Sequence, residues 1–171
     1  MKNFETSDKD EVKKLFIHQL NRVNCTKGYL LKNLPDLAGM ASFKNLRFAI
    51  LESYEDVKKQ QDRVDEIYLL LESKASDNGC EVIKSVIEEA YNFGAQNNGL
   101  THITRDMDII LYMRLIENIE LTAFGMLKLI NKFIGNDDVS QLLSECRNEN
   151  EDNDKLFRLI SEEYLKEVAQ A

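Results

Sequence analysis

The chain has 171 residues, of which 43% are hydrophobic and 30% are charged, as expected for a protein that folds around a substantial apolar core. Its 22 basic and 30 acidic residues give a formal charge of −8. No stretch is rich in Lys and Arg, which argues against classes that bind nucleic-acid backbones or anionic lipid surfaces. We therefore expect a single domain over residues 1–171, with no nucleic-acid partner and no membrane partner.

The cysteines Cys25, Cys80 and Cys146 lie far apart in the sequence. Their odd number and the lack of paired spacing argue against a disulfide framework and against a cysteine-type zinc site. We expect three small thiols, mostly buried, in a reducing compartment. The first fourteen residues contain no apolar run, so no signal peptide is expected, and the predicted location is the cytoplasm.

The first two predicted helices form a pair around the only proline of the chain. Apolar residues recur at helical spacing from about Asp8 to about Asn33, and Pro35 then predicts a break because proline lacks an N–H donor. Ser42 is a suitable N-cap for the second helix, which is predicted to end near Ser73.

A short helix is predicted next, roughly from Cys80 to Phe93, with Val82, Val86, Ala90 and Phe93 on its apolar side. A long helix follows from about Thr104 to Ile134 and ends at Gly135, and the last helix begins near 137–138. A short connection joins the first two long helices, and another joins the last two. A longer connection, which contains the short helix, joins these two pairs. This pattern predicts an all-α fold, a ferritin-like four-helix bundle with a short extra helix in the crossover connection.

Polar residues interrupt the apolar stripe of each long helix near its middle. Ser53 and Gln60 lie on the seam of the second helix. If these interruptions meet in the bundle, they form one polar layer within the core. The ionisable residues predicted for this layer are Lys27, Glu55, Lys58, Glu117, Glu120 and Glu149.

A di-iron bundle satisfies such buried carboxylates with two metal ions, held by glutamates and by two Glu-x-x-His motifs. This chain has two histidines, His18 and His102, and no Glu-x-x-His motif. We therefore predict no metal site and no cofactor. The hypothesis is that Lys27 and Lys58 balance the carboxylates in an ion-pair and hydrogen-bond network. The alternative is that both lysines extend to solvent.

The sequence also resembles the YciE/YciF ferritin-like family, through motifs that occur in the same order. The matching strings are LFIHQLNRVNCTKGYLLKNLPDLA at 15–38, ILESYEDVKKQQDRVDEIYLLLE at 50–72, VIEEA at 86–90, IENIELTAFGML at 116–127 and LLSECRNENEDNDKL at 142–156. Against the family pattern, Lys27 replaces a Glu, Lys58 lies where a His is usual, and Asn118 replaces the His of a Glu-His-Tyr-Glu signature. The resemblance implies a ferritin-like bundle, a homodimer and a bacterial family linked to stress responses.

Three functions remain open at this stage. The first is a non-enzymatic bundle with a degenerate di-iron site that acts through contacts with an unknown protein partner. The second is residual metal binding or oxidase chemistry at a carboxylate-only site of Glu55, Glu117, Glu120 and Glu149, which would favour hard ions. The third is a carrier with a small-ligand pocket between helices.

Overall fold

The computed structural model describes residues 6–76, 79–95 and 101–170. These residues form five helices and contain no strand. The helices are α1 (Thr6–Met40), α2 (Lys44–Leu70), α3 (Glu81–Ala95), α4 (His102–Ile134) and α5 (Asp137–Gln170).

The four long helices pack as two hairpins, α1 with α2 and α4 with α5. Helix α1 also packs against α4, and α2 packs against α5, so α2 and α4 lie diagonally across the bundle. Helix α4 begins beside the α1–α2 turn, because Asp106 near its start contacts Ser42 of that turn. The chain must therefore travel the length of the bundle between α2 and α4. Helix α3 lies on this route and packs against α4 and α1, which confirms the predicted bundle with a helix in its crossover.

The apolar core consists of two clusters of buried side chains on either side of the bundle's middle. The cluster nearer the α1–α2 turn includes Leu34, Ile50, Val57, Met113 and Phe157. The cluster at the other end includes Phe16, Val64, Phe124, Leu143 and Cys146. Polar residues occupy the zone between them, and this zone contains the candidate site.

Helix α1 continues through Pro35 to Met40, so the predicted break at this residue is wrong. Pro35 lies on the exposed face of the helix and close to its end. There, water can hydrate the carbonyl that loses its hydrogen-bond donor. Buried Leu34, Leu37 and Ala38 hold this last segment against the core.

The start of α2 is stabilised by a residue from another helix. Ser42 was predicted to cap α2, but the N-cap position is occupied by Phe43, whose side chain makes no capping bond. Instead the buried Asp106 carboxylate of α4 accepts hydrogen bonds from the backbone N–H groups of Ser42 (2.9 Å) and Phe43 (2.8 Å). A carboxylate at this position neutralises the partial positive charge of the helix N-terminus and ties the two hairpins together.

The turn between α4 and α5 follows the sequence prediction. Gly135 adopts the left-handed conformation (φ 77°), and its N–H donates to the carbonyl of Asn131 (2.8 Å). Helix α5 begins at Asp137, and the side chain of Asn136 accepts a hydrogen bond from the N–H of Val139 (3.1 Å). These contacts close the second hairpin tightly.

A disulfide between Cys25 and Cys80 joins α1 to the residue before α3, with 5.8 Å between the Cα atoms. The prediction of three unpaired thiols is therefore wrong for this pair, and one ground for expecting a reducing compartment is removed. The apolar face of α3 agrees with the prediction only in part: Ala90 is buried as predicted, but Ile83 and Ile87 are buried whereas Val82 is exposed. The side chain of Phe93 lies outside those that the structure describes.

Burial of the third cysteine, Cys146, raises the pKa of its thiol to about 11, so this residue remains a packed thiol.

In the part of the chain that the structure describes, no helix combines the length and the apolarity needed to span a membrane.

Candidate functional site

A lysine ammonium group lies at the centre of the bundle. Lys27 of α1 is 0% exposed. Its Nζ donates hydrogen bonds to Oε1 of Glu120 (2.5 Å) and to Oε1 of Gln60. The same nitrogen lies 5.1 Å from the centre of the Phe124 ring. An anion, an amide and an aromatic face thus surround the ammonium, which offsets the cost of removing the charge from water.

Two buried glutamates of α4 share one asparagine of α5. The Nδ2 group of Asn150 donates to Oε2 of Glu117 (2.7 Å) and to Oε2 of Glu120 (2.8 Å). Ser53 of α2 donates from its hydroxyl to Oε1 of Glu117 (2.9 Å). Each carboxyl oxygen of the pair therefore has a partner, as buried polar groups require.

An amide from α2 closes the network. The Nε2 group of Gln60 donates to Oδ1 of Asn150 (3.1 Å) and to the carbonyl of Cys146 (3.3 Å), while its Oε1 accepts from Lys27. We call the resulting set the central polar layer; its members are Lys27, Ser53, Gln60, Glu117, Glu120 and Asn150. All four long helices contribute to it. Among the described residues, no buried side-chain atom of the layer lacks a hydrogen-bond partner.

The electrostatics of the layer favour one negative charge beside the one positive charge. Burial raises the pKa of Glu117 to about 8, and the neighbouring charge of Glu120 adds to this effect. The hydrogen bonds from Ser53 and Asn150 and the charge of Lys27 oppose the shift without cancelling it. Near neutral pH Glu117 is therefore mostly protonated, and the ammonium of Lys27 is balanced by Glu120.

Two of the predicted layer residues lie on the surface instead. The side chains of Lys58 and Glu55 are 45% and 59% exposed and form an ion pair of 2.7 Å on the outer face of α2. Lys58 Nζ also lies 4.4 Å from the centre of the Tyr54 ring. Their assignment to the core layer was wrong; it relied on their proximity to the seam, whereas Ser53 and Gln60 are the seam residues that point inward.

Glu149 lies at the edge of the bundle, where it accepts a hydrogen bond from Nη1 of Arg63 (2.8 Å). Its placement in the layer was therefore wrong by one residue, because its neighbour Asn150 is the buried member. The sequence does contain a signal for this: Cys146, Asn150, Asn153 and Phe157 follow one another at spacings of four, three and four, and all four are buried.

The side chains in the centre do not fit a di-iron site. Glu117 and Glu120 are the acidic side chains of the layer, while Glu55 and Glu149 form ion pairs elsewhere. The ammonium of Lys27 lies where a metal cation would experience direct repulsion. His18 and His102 are both exposed, and His102 is the first residue of α4. Within residues 6–76, 79–95 and 101–170, no three His, Cys, Asp or Glu side chains are grouped as a metal ion requires.

A cavity of about 220 Å³ lies beside the layer, between α1, α4 and the start of α3. Its wall is mainly apolar and includes Val23, Ile83 and Phe124, with Glu120 on the inner side. Pockets that enclose organic ligands usually measure about 300–1,000 Å³. The size of this cavity does not favour the small-ligand carrier over the other functions.

Comparison with known proteins gives a consistent family assignment. A family described as a domain of unknown function (DUF892) matches residues 11–170. The search of curated proteins found no match.

Two solved structures share the fold. The Escherichia coli stress protein YciF superposes with a TM-score of 0.85 at 22% identity, covering 91% of this chain and 97% of that one. YcfI from Rhodopseudomonas palustris superposes with a TM-score of 0.80 at 23% identity, covering 91% of this chain and 98% of that one. At these identities the likeness establishes the fold, which agrees with the family match over nearly the whole chain. The chain therefore belongs to the DUF892 family and is a YciF-like member of it.

Proposed function

We propose that this chain is a non-enzymatic bundle protein with a degenerate di-iron site, acting through protein–protein contacts. The observation that carries the proposal is the buried ammonium of Lys27, hydrogen-bonded to Glu120 and Gln60. It provides the positive charge that iron would otherwise supply to the carboxylates. Its bonds also hold α1, α2 and α4 in one register, which is a structural role.

A redox reaction at the centre would need an open coordination position next to a metal ion. The layer has no such position, because its carboxyl oxygens already accept hydrogen bonds. Glu117 is mostly protonated, and the Glu120 carboxylate is already paired with Lys27. A carboxylate-only site is not favoured, because two of its four proposed ligands are bound to Lys58 and Arg63 away from the centre.

The test is metal loading under conditions that favour uptake. The metal-free protein is incubated anaerobically with excess Fe(II) or Mn(II), the excess is removed, and metal is counted by mass spectrometry while Fe(II) oxidation is followed optically. We expect well below one metal ion per chain and no oxidation above the protein-free rate. Stoichiometric metal that is lost in the Glu120→Gln variant would overturn the proposal.

The proposed contacts begin with a second copy of the chain, as the family resemblance suggested. Each copy carries a formal charge of −8, so the contact between two copies must offset a net electrostatic repulsion. Sedimentation equilibrium tests this part: a mass of two chains supports it, and a single-chain mass at every concentration contradicts it.

The proposal includes a role during stress, in line with the description of YciF as a stress protein. Its test is the abundance of this protein in its own host before and after osmotic or oxidative stress. A constant abundance under each stress would contradict this part alone.

A further inference from the structure

The disulfide between Cys25 and Cys80 joins two sulfur atoms with unequal surroundings. Cys25 of α1 is partly exposed, whereas Cys80 is only 5% exposed. Cys80 also holds the N-cap position of α3, because its carbonyl accepts the first helical hydrogen bond, from the N–H of Lys84 (3.1 Å). A thiol from solution can therefore reach Cys25 more readily, while the sulfur of Cys80 lies at a helix N-terminus.

The surroundings of Cys80 favour a negative charge on its sulfur. The partial positive charge of a helix N-terminus stabilises an anion, and so does a nearby guanidinium group. Arg22 of α1 lines the same cavity as Cys80, and within the described ranges its side chain has no ion-pair partner. The adjacent carboxylate, Glu81, is paired with Lys84 (2.9 Å). Cys80 is therefore the better leaving group of the two sulfurs when the disulfide is attacked.

The disulfide is one of two attachments between the crossover connection and α1. One turn earlier in α1, the side chain of Asn21 donates to the hydroxyl of Ser76 (2.8 Å). Its oxygen accepts from the N–H of Ser76 (3.1 Å) and from the hydroxyl of Tyr68 (2.6 Å). This attachment does not involve the sulfurs. Breaking the disulfide therefore frees the first turn of α3 and leaves the connection before it in place.

The first turn of α3 forms part of the wall of the cavity beside the central polar layer. Cys80 and Ile83 line this cavity, with Glu120 of the layer on its inner side. Farther along α3, the buried side chains of Ile87 and Ala90 hold the helix against the core. A change confined to the first turn therefore alters the access of water to the cavity without detaching α3.

We infer that Cys25 and Cys80 form a redox-active site, which exchanges with a dithiol reductant and controls the first turn of α3. A thiolate of the reductant attacks the sulfur of Cys25, the bond between the two protein sulfurs breaks, and its electron pair goes to Cys80. The second thiolate of the reductant then displaces Cys25 from the mixed disulfide. The reductant leaves as a disulfide, and two electrons and two protons end on the two cysteines. This site adds to the proposed function and does not depend on the absence of a metal.

The first test asks whether the folded protein is reduced, and in which direction. The oxidised protein is treated with dithiothreitol, quenched at intervals with iodoacetamide, and mapped by mass spectrometry of its peptides, while circular dichroism monitors the fold. We expect Cys25 and Cys80 to be alkylated in the folded protein and the buried Cys146 to stay unmodified. With glutathione, a monothiol, the trapped intermediate should carry glutathione on Cys25 and the alkyl group on Cys80.

Two results would contradict this chemistry. Reduction that occurs only after unfolding in guanidinium chloride would overturn the inference, because the disulfide would then be purely structural. Glutathione found on Cys80 alone would overturn the roles assigned to the two sulfurs.

A charge substitution tests the role of Arg22. Arg22→Gln should slow the reduction several-fold, because the thiolate that leaves from Cys80 loses a stabilising cation. Lys32→Gln is the matched control, since Lys32 is exposed about 10 Å farther along α1 than Cys25 and carries the same charge. It should leave the rate unchanged. Equal rates for the two variants would remove Arg22 from the site.

The second test measures the response of α3 by hydrogen–deuterium exchange. Reduction should speed exchange of the backbone amides of residues 84–87, which close the first turn of α3, by about tenfold and leave those of α5 unchanged. Cys25→Ser combined with Cys80→Ser should reproduce the reduced state, because serine is also a good N-cap, and dithiothreitol should then have no further effect. Unchanged exchange at residues 84–87 after complete reduction would overturn the control of α3.

Discussion

Two lysine–glutamate pairs in this protein share their chemistry and differ in their surroundings. Lys27 and Glu120 lie 2.5 Å apart with side chains that are 0% and 3% exposed, whereas Lys58 and Glu55 lie 2.7 Å apart with side chains that are 45% and 59% exposed. The distance alone therefore says little about what each pair contributes. The surface pair exchanges water for a partner at almost no gain, while the core pair has lost its water entirely.

The core pair is tolerable because it does not stand alone. Gln60 and the Phe124 ring complete the surroundings of the ammonium, and Asn150 completes those of the carboxylate. Removing one member leaves the others buried without their partner. The predictions below test this difference, from the largest expected effect to the smallest.

Lys27→Met should lower the free energy of unfolding by about 3–5 kcal/mol, because it leaves the Glu120 carboxylate buried without a counter-charge. Lys58→Met is the matched control and should change it by less than about 0.5 kcal/mol. Urea denaturation followed by circular dichroism measures both. Equal effects of the two substitutions would show that burial makes no difference to the pair.

Glu117→Gln should change how stability depends on pH. The folded-state pKa of Glu117, about 8, lies above its ordinary value of 4.5, so the folded chain binds this proton more tightly than the unfolded chain. The associated stability is fully present below about pH 4.5, declines as pH rises, and is lost above about pH 8.

Between pH 5 and pH 9, the free energy of unfolding of Glu117→Gln should therefore rise by about 4 kcal/mol relative to that of the wild type. Glutamine is neutral, as a protonated carboxyl group is; its carbonyl oxygen can accept the hydrogen bond from Asn150, and its NH₂ group can donate to the oxygen of Ser53 once that hydroxyl turns from donor to acceptor. Glu55→Gln, on the surface, should follow the wild-type profile. If the free energies of unfolding of Glu117→Gln and of the wild type change in parallel across this pH range, the protonation assigned to Glu117 is incorrect.

A double-mutant cycle separates the pairwise energies of the two pairs. For Lys27→Met and Glu120→Leu, we expect a coupling of about 2 kcal/mol, since removing both partners recovers much of what one removal costs. For Lys58→Met and Glu55→Leu, the coupling should be about 0.3 kcal/mol. Additive effects at the core pair would contradict the network.

The smallest predicted difference between the two pairs is the response of their coupling energies to salt. Raising the ionic strength to about 1 M shortens the screening length to about 3 Å, which weakens the surface coupling by a few tenths of a kcal/mol. The coupling of Lys27 with Glu120 should stay constant, because ions do not reach it. The same cycle repeated in high salt measures this, and a loss at both pairs would mean that solvent penetrates the core.

The fold and the centre of the layer were predictable, because a helix repeats its pattern every 3.6 residues. The helices and the inward position of Lys27 follow from that repeat. The hairpins and the crossover follow from the lengths of the connections, and Gly135 follows from the preference of helix ends for glycine. Errors arose where one residue decides the direction of a side chain. Glu149 and Asn150 are adjacent, yet one pairs with Arg63 at the edge while the other lies in the core.

Contacts between distant segments were not predictable from local pattern. Asp106 bonds to the backbone of residues more than sixty positions earlier, and Cys25 meets Cys80 across a separation of 55. Residue type and local spacing do not predict such contacts, because these depend on how the helices pack. Pro35 shows the converse, since tertiary packing kept a helix intact where local chemistry predicted its end.

Nuclear magnetic resonance of the lysine side-chain ammonium groups tests the central claim most directly. In protein labelled with ¹⁵N at lysine Nζ, a buried and hydrogen-bonded ammonium exchanges its protons slowly, while Lys58 and the other surface lysines exchange too fast to be observed. We expect one protected ammonium resonance that disappears in Lys27→Arg and persists in Lys58→Arg. A spectrum in which the Lys27 signal is absent, or exchanges as fast as that of Lys58, would contradict the placement of a charged lysine at the centre of the bundle.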